Sequence, residues 1–175
     1  MDRKSREIVL SAFIAALYAI LVIGLPSISF QIIQVRVADA LIPLSIIYGN
    51  PVIIGVTIGC FLANILVAPW GNTYMNALDA VLGSVANFIA SWVAYWFSKY
   101  SKGLKGIFLS LLLANLTITF IVGSYIPVLV FWAFGGEFIP IWLGWLGVFL
   151  GEFVSINILG LGIVTYFKKI KLREQ

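Results

Sequence analysis

Long apolar runs, broken by short polar or glycine- and proline-bearing stretches, set the pattern of this 175-residue chain. Six runs can each form a helix. The first covers residues 7–24, and a polar-punctuated stretch, 26–35, leads to a shorter second run at 36–49. Gly49-Asn50-Pro51 is a turn signal, with the proline suited to the first turn of the next helix. That third helix covers 51–68 and is broken by Pro69-Trp70-Gly71-Asn72. A fourth occupies 76–97, a fifth 105–134 with a kink predicted at Pro127, and a sixth 140–167. The second run rises only ~21 Å against a bilayer core of ~30 Å, so it is either a short crossing or ends beneath a re-entrant turn. The pattern predicts an all-α, polytopic membrane protein, one six-transmembrane-helix bundle forming a single domain over residues 1–175.

Composition supports the membrane class. The chain is 62% hydrophobic, with a mean hydropathy of +1.08. A soluble helical protein of this length needs charged helix faces, and these runs lack them. The first run reads as a span and not as a cleavable signal, since further spans follow it. Cys60 is the one cysteine and lies within a helix, so neither a disulfide nor a cysteine metal cluster is expected. The absence of histidine excludes imidazole catalysis, haem ligation by histidine and most zinc sites, and no cofactor is expected. The net charge of +4 comes from basic residues flanking the spans, which argues against nucleic acid as a partner.

Those flanks also give a topology. Arg3, Lys4 and Arg6 precede the first helix, Lys99, Lys102 and Lys105 lie between the fourth and fifth, and Lys168, Lys169, Lys171 and Arg173 follow the sixth. With six crossings all three places share one face. The positive-inside rule makes it cytoplasmic, with both termini there and the chain multi-pass in the cytoplasmic (inner) cell membrane. Arg36 is the exception and belongs to the outer half. Asp2, Glu7 and Glu174 lie near the cytoplasmic ends, and Glu137 sits in a glycine-bearing outer turn as a solvated loop acid. Asp79 is predicted ~30 Å above Lys99, Glu152 ~24 Å above Lys168, and Asn64 ~20 Å into its helix. The unexplained polar groups thus gather in the outer half, as in a pocket open to the exterior.

A charge at membrane depth costs at least ~2.5–3.5 kcal/mol by insertion scales, so it is paired or functional as a rule. Arg36 and Asp39, at i and i+3, share a helix face; they either neutralise one another or divide ligand contact and orientation between them. Asn76 reads as the cap of the fourth helix, whereas no cap explains Asp79. Asn64 and Asn87 serve equally as interhelical hydrogen-bond glue or as ligand contacts. Glu152 has no basic neighbour in sequence and either finds a partner across the bundle, with Arg36 the first choice, or remains protonated. Trp70, Trp132 and Trp142 read as interfacial anchors.

Small residues recur at helical spacing. Gly55-x-x-x-Gly59 and Gly147-x-x-x-Gly151 are accounted for by internal packing, while Ala12, Ala15, Ala16 and Ala19 on the first helix offer either internal packing or an external docking face. The sequence holds no G-x-x-x-x-G-K-[ST] loop, so uphill transport would need a separate energising partner. No nucleophile elbow or HExxH motif is present, which disfavours an enzyme.

Several of these stretches resemble the QueT family, substrate-binding S-components of energy-coupling factor (ECF) transporters. The resemblance rests on Gln34-Val35-Arg36-Val37-Ala38-Asp39-Ala40, Ile58-Gly59-Cys60-Phe61-Leu62-Ala63-Asn64, Asp79-Ala80-Val81-Leu82-Gly83-Ser84 and Gly151-Glu152, and covers nearly the whole chain. Asp39 stands where the family typically shows Glu, keeping the carboxylate at a shorter reach. The resemblance implies a six-helix bundle that captures queuosine precursors, 7-deazaguanine bases, in an outward-facing pocket. It also implies delivery with a membrane scaffold subunit and two ATPase subunits, docked through the alanine motif. Gln34, Arg36, Asp39, Asn64, Asp79, Asn87 and Glu152 are the candidate substrate-binding residues. Carboxylates can accept from the guanine-like N–H and amino edge or face a protonated aminomethyl arm, while Asn, Gln or Arg can donate to the ring carbonyl. Alternatives are an S-component for another vitamin-like ligand and a solitary ion- or proton-coupled permease. The permease is disfavoured because a conduction path needs polar groups in the inner half as well.

Overall fold

The computed structural model describes residues 2–31, 33–101 and 103–173, with side chains as far as residue 170. Of the flanking charges invoked above, Lys102 and Glu174 lie outside the described residues, as do the side chains of Lys171 and Arg173. The described residues are all-helical. Helix α1 (Arg3–Gly24) begins at Asp2, whose side chain accepts from the Ser5 N–H at 2.9 Å. Bonds from Ser5 hold the Asp2 carboxyl below the usual carboxylate range. A one-turn helix α2 (Pro26–Ser29) follows, with proline at its start.

The second predicted helix is where sequence and structure part. Residues 36–49 do not form a continuous α-helix. Arg36 is extended, Val37–Leu44 is a 3-10 helix, and only Ser45–Tyr48 (α3) is α-helical. A 3-10 run of eight residues is long for that geometry. Burial explains it: residues 38–45 have almost no exposure, and Pro43 within the run has no N–H to give to an α-helical bond. The Pro43 ring lies against Gly160, where an added Cβ would come within 2.5 Å of it. At ~2.0 Å per 3-10 residue and ~1.5 Å per α residue, the whole segment covers ~22 Å.

Gly49 then turns the chain at φ +64, and Asn50 and Pro51 open α4 (Asn50–Val67). Helices α1 and α4 run parallel, since Gly55 meets Ile14 and Gly59 meets Ala15 and Tyr18 further along both. A Cβ at Gly55 would sit 2.7 Å from Ile14 Cβ, and one at Gly59 2.7 Å from the Ala15 carbonyl oxygen, so the internal-packing reading of this glycine pair holds. Because the two helices are parallel, residues 25–48 carry the chain back to the face on which α1 starts.

Helix α5 (Thr73–Tyr100) is capped by Asn72, whose side chain accepts from the Tyr74 N–H at 2.8 Å. This corrects the assignment of the cap to Asn76; the helix starts earlier because its first turn is polar and so lies outside the apolar run. Helix α6 (Gly103–Phe134) continues through Pro127, whose ring faces Gly144 of α7 (Ile141–Glu152). The sixth predicted helix is longer than expected and not regular: a π-helical stretch, Phe153–Gly160, joins α7 to α8 (Leu161–Arg173). Among the described residues, five helical runs are long and apolar enough to cross a membrane: α1, α4, α5, α6 and the continuous Ile141–Ile170. The 3-10 segment with α3 is the short sixth element, enclosed by the others.

Candidate functional site

The four charged residues buried in the bundle, Arg36, Asp39, Asp79 and Glu152, fall into one region together with Asn64 and Asn87. Its centre is a knot between three elements. Tyr18 on α1 donates its hydroxyl to Asp39 Oδ1 at 2.6 Å, and Asn87 on α5 donates to the same oxygen at 3.0 Å and to the Tyr18 oxygen at 2.8 Å. All three side chains are buried, so each bond is made where water cannot replace it. Asp39 reaches this point because the 3-10 helix carries it into the bundle.

Arg36 does not pair with Asp39. Its backbone is extended, so the face-sharing expected of an α-helix does not arise, and the guanidinium turns elsewhere. It lies 5.4 Å from the centre of the Phe30 ring, and Nη1 approaches Cys60 Sγ at 3.6 Å. Nor is Arg36 in an ion pair with Glu152: among the described residues the one salt bridge within 4.0 Å joins Arg3 to Glu7 on the exposed start of α1. Glu152, at the end of α7, is 1% exposed and has the Asp39 carboxyl as its neighbour.

Asp79 is tied on every side. Oδ1 accepts from the Tyr125 hydroxyl at 2.6 Å and Oδ2 from the Trp70 indole N–H at 3.0 Å, while the Asp79 backbone carbonyl accepts from Asn64 Nδ2 at 3.3 Å. Trp70 is therefore no interfacial anchor; it is 2% exposed and turned inward, whereas Trp132 and Trp142 face outward as expected. The Pro69-Trp70 break bends the chain at the end of α4 and brings the indole over Asp79. Gln34 is also committed, donating to the Ser29 carbonyl at 2.6 Å, and its backbone presses on Gly151, where a Cβ would collide with it. Gly83 leaves a recess between these groups, with Asn64 Nδ2 2.9 Å, Tyr125 Oη 3.4 Å and Cys60 Sγ 3.5 Å from where its Cβ would sit.

Four polar atoms of this region are buried without a partner: Arg36 Nε and Nη2, Asn64 Oδ1 and Glu152 Oε2. A buried donor or acceptor left open costs ~1–3 kcal/mol, so a concentration of them signals a missing partner. On the loop side lies a cavity of about 310 Å³ lined by Phe30, Gln31, Pro69, Trp70, Ile126, Val130 and Phe134. That is at the lower end of the ~300–1,000 Å³ of small-molecule pockets. Phe30 lines it on one side and covers Arg36 on the other. A second polar cluster, Asn115 with Thr119 and Asn157, bridges α6 to the π-helical stretch. Toward the end of the bundle at which α1 starts, Ser45, Ser91 and Ser110 are buried, each bonded to a helix carbonyl. Among the described residues no three His, Cys, Asp or Glu side chains group to hold a metal ion.

The seven residues proposed from sequence are all buried. Arg36, Asp39, Asn64, Asp79, Asn87 and Glu152 converge on this region; Gln34 supports the chain leading into it. Sequence reasoning missed Tyr18, Trp70, Tyr125 and the Cys60 thiol. A tyrosine or tryptophan inside an apolar helix bundle needs a polar partner, which is the signal that was available for three of them. The alanines divide between two faces. Ala15 and Ala19 are buried, while Ala12 and Ala16 are exposed along a groove of about 710 Å³ between α1 and α4.

Comparison with known proteins agrees with the earlier resemblance. A family model described as QueT transporter matches residues 8–169. A protein of Lactococcus lactis subsp. cremoris named queuosine precursor transporter QueT is 37% identical over 81 residues, which is 45% of this chain and 47% of that relative. The match thus spans about half of the relative's length. No solved structure matches.

Proposed function

Since this chain belongs to the QueT transporter family, we propose that it is the substrate-capture subunit for uptake of queuosine precursors, 7-deazaguanine bases, across the cytoplasmic membrane. The observation that carries this reading is the set of unpartnered buried atoms on Arg36, Asn64 and Glu152, with Arg36 lying over Phe30, which lines the neighbouring cavity together with Trp70. A guanine-like base supplies what they lack, a carbonyl oxygen for the guanidinium and N–H groups for the carboxylate and the amide oxygen. The flat ring suits a cavity walled by aromatic side chains. The site residues are Arg36, Asp39, Asn64, Asp79, Asn87 and Glu152, with Gln34 holding the loop.

In this reading the short segment Val37–Tyr48 completes six crossings, both termini face the cytoplasm, and the cavity opens to the exterior. Capture alone does not drive uptake, so the chain works with a separate ATP-driven module, a membrane scaffold subunit and two ATPases. The groove bearing Ala12 and Ala16 is the docking face. Its apolar floor, with Ile54, Ile58 and Leu62, and its charged end at Lys4 and Glu7 suit a membrane helix that emerges at the cytoplasmic surface. Mass spectrometry of small molecules released from the detergent-purified chain tests the proposal. A 7-deazaguanine base is the expected ligand; a pterin, flavin or biotin in its place would overturn the substrate while keeping the transport class.

A further inference from the structure

The three buried acids of the site are not equally available. Asp79 has both carboxylate oxygens occupied, one by Tyr125 and one by Trp70. Asp39 Oδ1 takes two donors, Tyr18 and Asn87, and its carboxyl adjoins Glu152. Glu152 Oε2 has no donor at all. On the complementary side, Arg36 commits only Nη1, to a thiol at 3.6 Å, and leaves Nε and Nη2 open. Asn64 turns its Nδ2 to the Asp79 carbonyl, which fixes the amide with its oxygen open.

From this division we infer that Glu152 reads the donor edge of the ligand and Arg36 its carbonyl, while Asp39 and Asp79 are positioning residues that touch no ligand. The inference rests on capture of a 7-deazaguanine base. On such a base the ring N–H and the 2-amino group lie side by side, next to the 6-carbonyl. The open Glu152 oxygen and the open Arg36 nitrogens match that sequence of donor, donor and acceptor. Asp39 and Asp79 act at one remove. Asp39 joins the 3-10 helix to α1 and α5, setting where Arg36 emerges, and Asp79 ties the Trp70 loop to α5 and α6.

The test pairs two ligands with three variants of the full-length chain in detergent. Binding of a 7-deazaguanine and of its analogue lacking the 2-amino group is titrated against wild type, Glu152→Gln, Asp39→Asn and Asp79→Asn, with thermal unfolding recorded for each. The wild type is expected to prefer the 2-amino base at least about tenfold, because a carboxylate built to accept from that group is left unpaired by the analogue. Glu152→Gln is expected to remove most of that preference. Asp39→Asn and Asp79→Asn are expected to weaken both ligands in parallel, keep the preference and lower the unfolding temperature. A preference kept in Glu152→Gln, or lost in Asp39→Asn, overturns the assignment while leaving capture of the base intact. Should Glu152→Gln fail to fold, a wild type that binds both ligands equally overturns it alone. A folded wild type that binds neither ligand overturns the capture function itself.

Discussion

The Trp70 indole and the Tyr125 hydroxyl each complete one oxygen of Asp79, which is fully buried. Trp70→Phe keeps most of the ring and removes the donor. It is expected to cost ~1–3 kcal/mol, the usual penalty for an orphaned buried acceptor, and to lower the thermal unfolding midpoint in detergent. An unchanged midpoint would show that Trp70 is a peripheral contact. Residue-scale reading of the sequence found the acids, because a carboxylate at membrane depth stands out wherever it falls. It did not find their partners. Trp70 sits beside a helix break, where tryptophan is ordinarily an interface anchor, and only the bend after Val67 turns it inward. The proposed Arg36–Asp39 pair failed for a similar reason: the spacing assumed a helix, and the backbone at Arg36 is extended.

Among the elements, the long apolar helices were legible from hydropathy because length and lipid exposure alone define them. The 3-10 segment and the π-helical stretch were not, since both follow from tertiary packing. Pro43 against Gly160 brings the two non-standard helices together, and Gln34 against Gly151 of α7 seats the chain that leads into the first of them. The close contact of α1 with α4 gives a sharper test. A Cβ at Gly59 would lie 2.7 Å from both the Ala15 carbonyl oxygen and Tyr18 Cβ, so Gly59→Ala must push the helices apart and disturb the Tyr18 bond to Asp39. A loss of ~1–3 kcal/mol is expected from such overpacking, together with weaker ligand binding. Gly162→Ala is the control, because nothing lies within 4 Å of its added Cβ, and it should leave unfolding and binding unchanged.

At the scale of the whole molecule, a buried polar site and an exposed apolar groove occupy different parts of one small bundle, which under the proposed function separates capture from delivery. Ala16→Trp fills the groove without approaching Arg36 or Glu152. It is expected to abolish uptake in cells carrying the complete transporter while leaving ligand affinity within about twofold of wild type. Loss of affinity in that variant would place the groove within the binding site. The helical bundle and its multi-pass character were readable from the chain, whereas which buried groups bond to one another was not, because the 3-10 segment and the bend before Trp70 set those partners. The central claim, capture of a 7-deazaguanine base by Arg36, Asn64 and Glu152, is tested most directly by isothermal titration of the purified chain with such a base. Saturable binding of one base per chain, lost in Arg36→Gln with the fold retained, is the predicted result. A folded chain that gives no heat with any 7-deazaguanine, or an Arg36→Gln variant that binds as tightly as wild type, would contradict it.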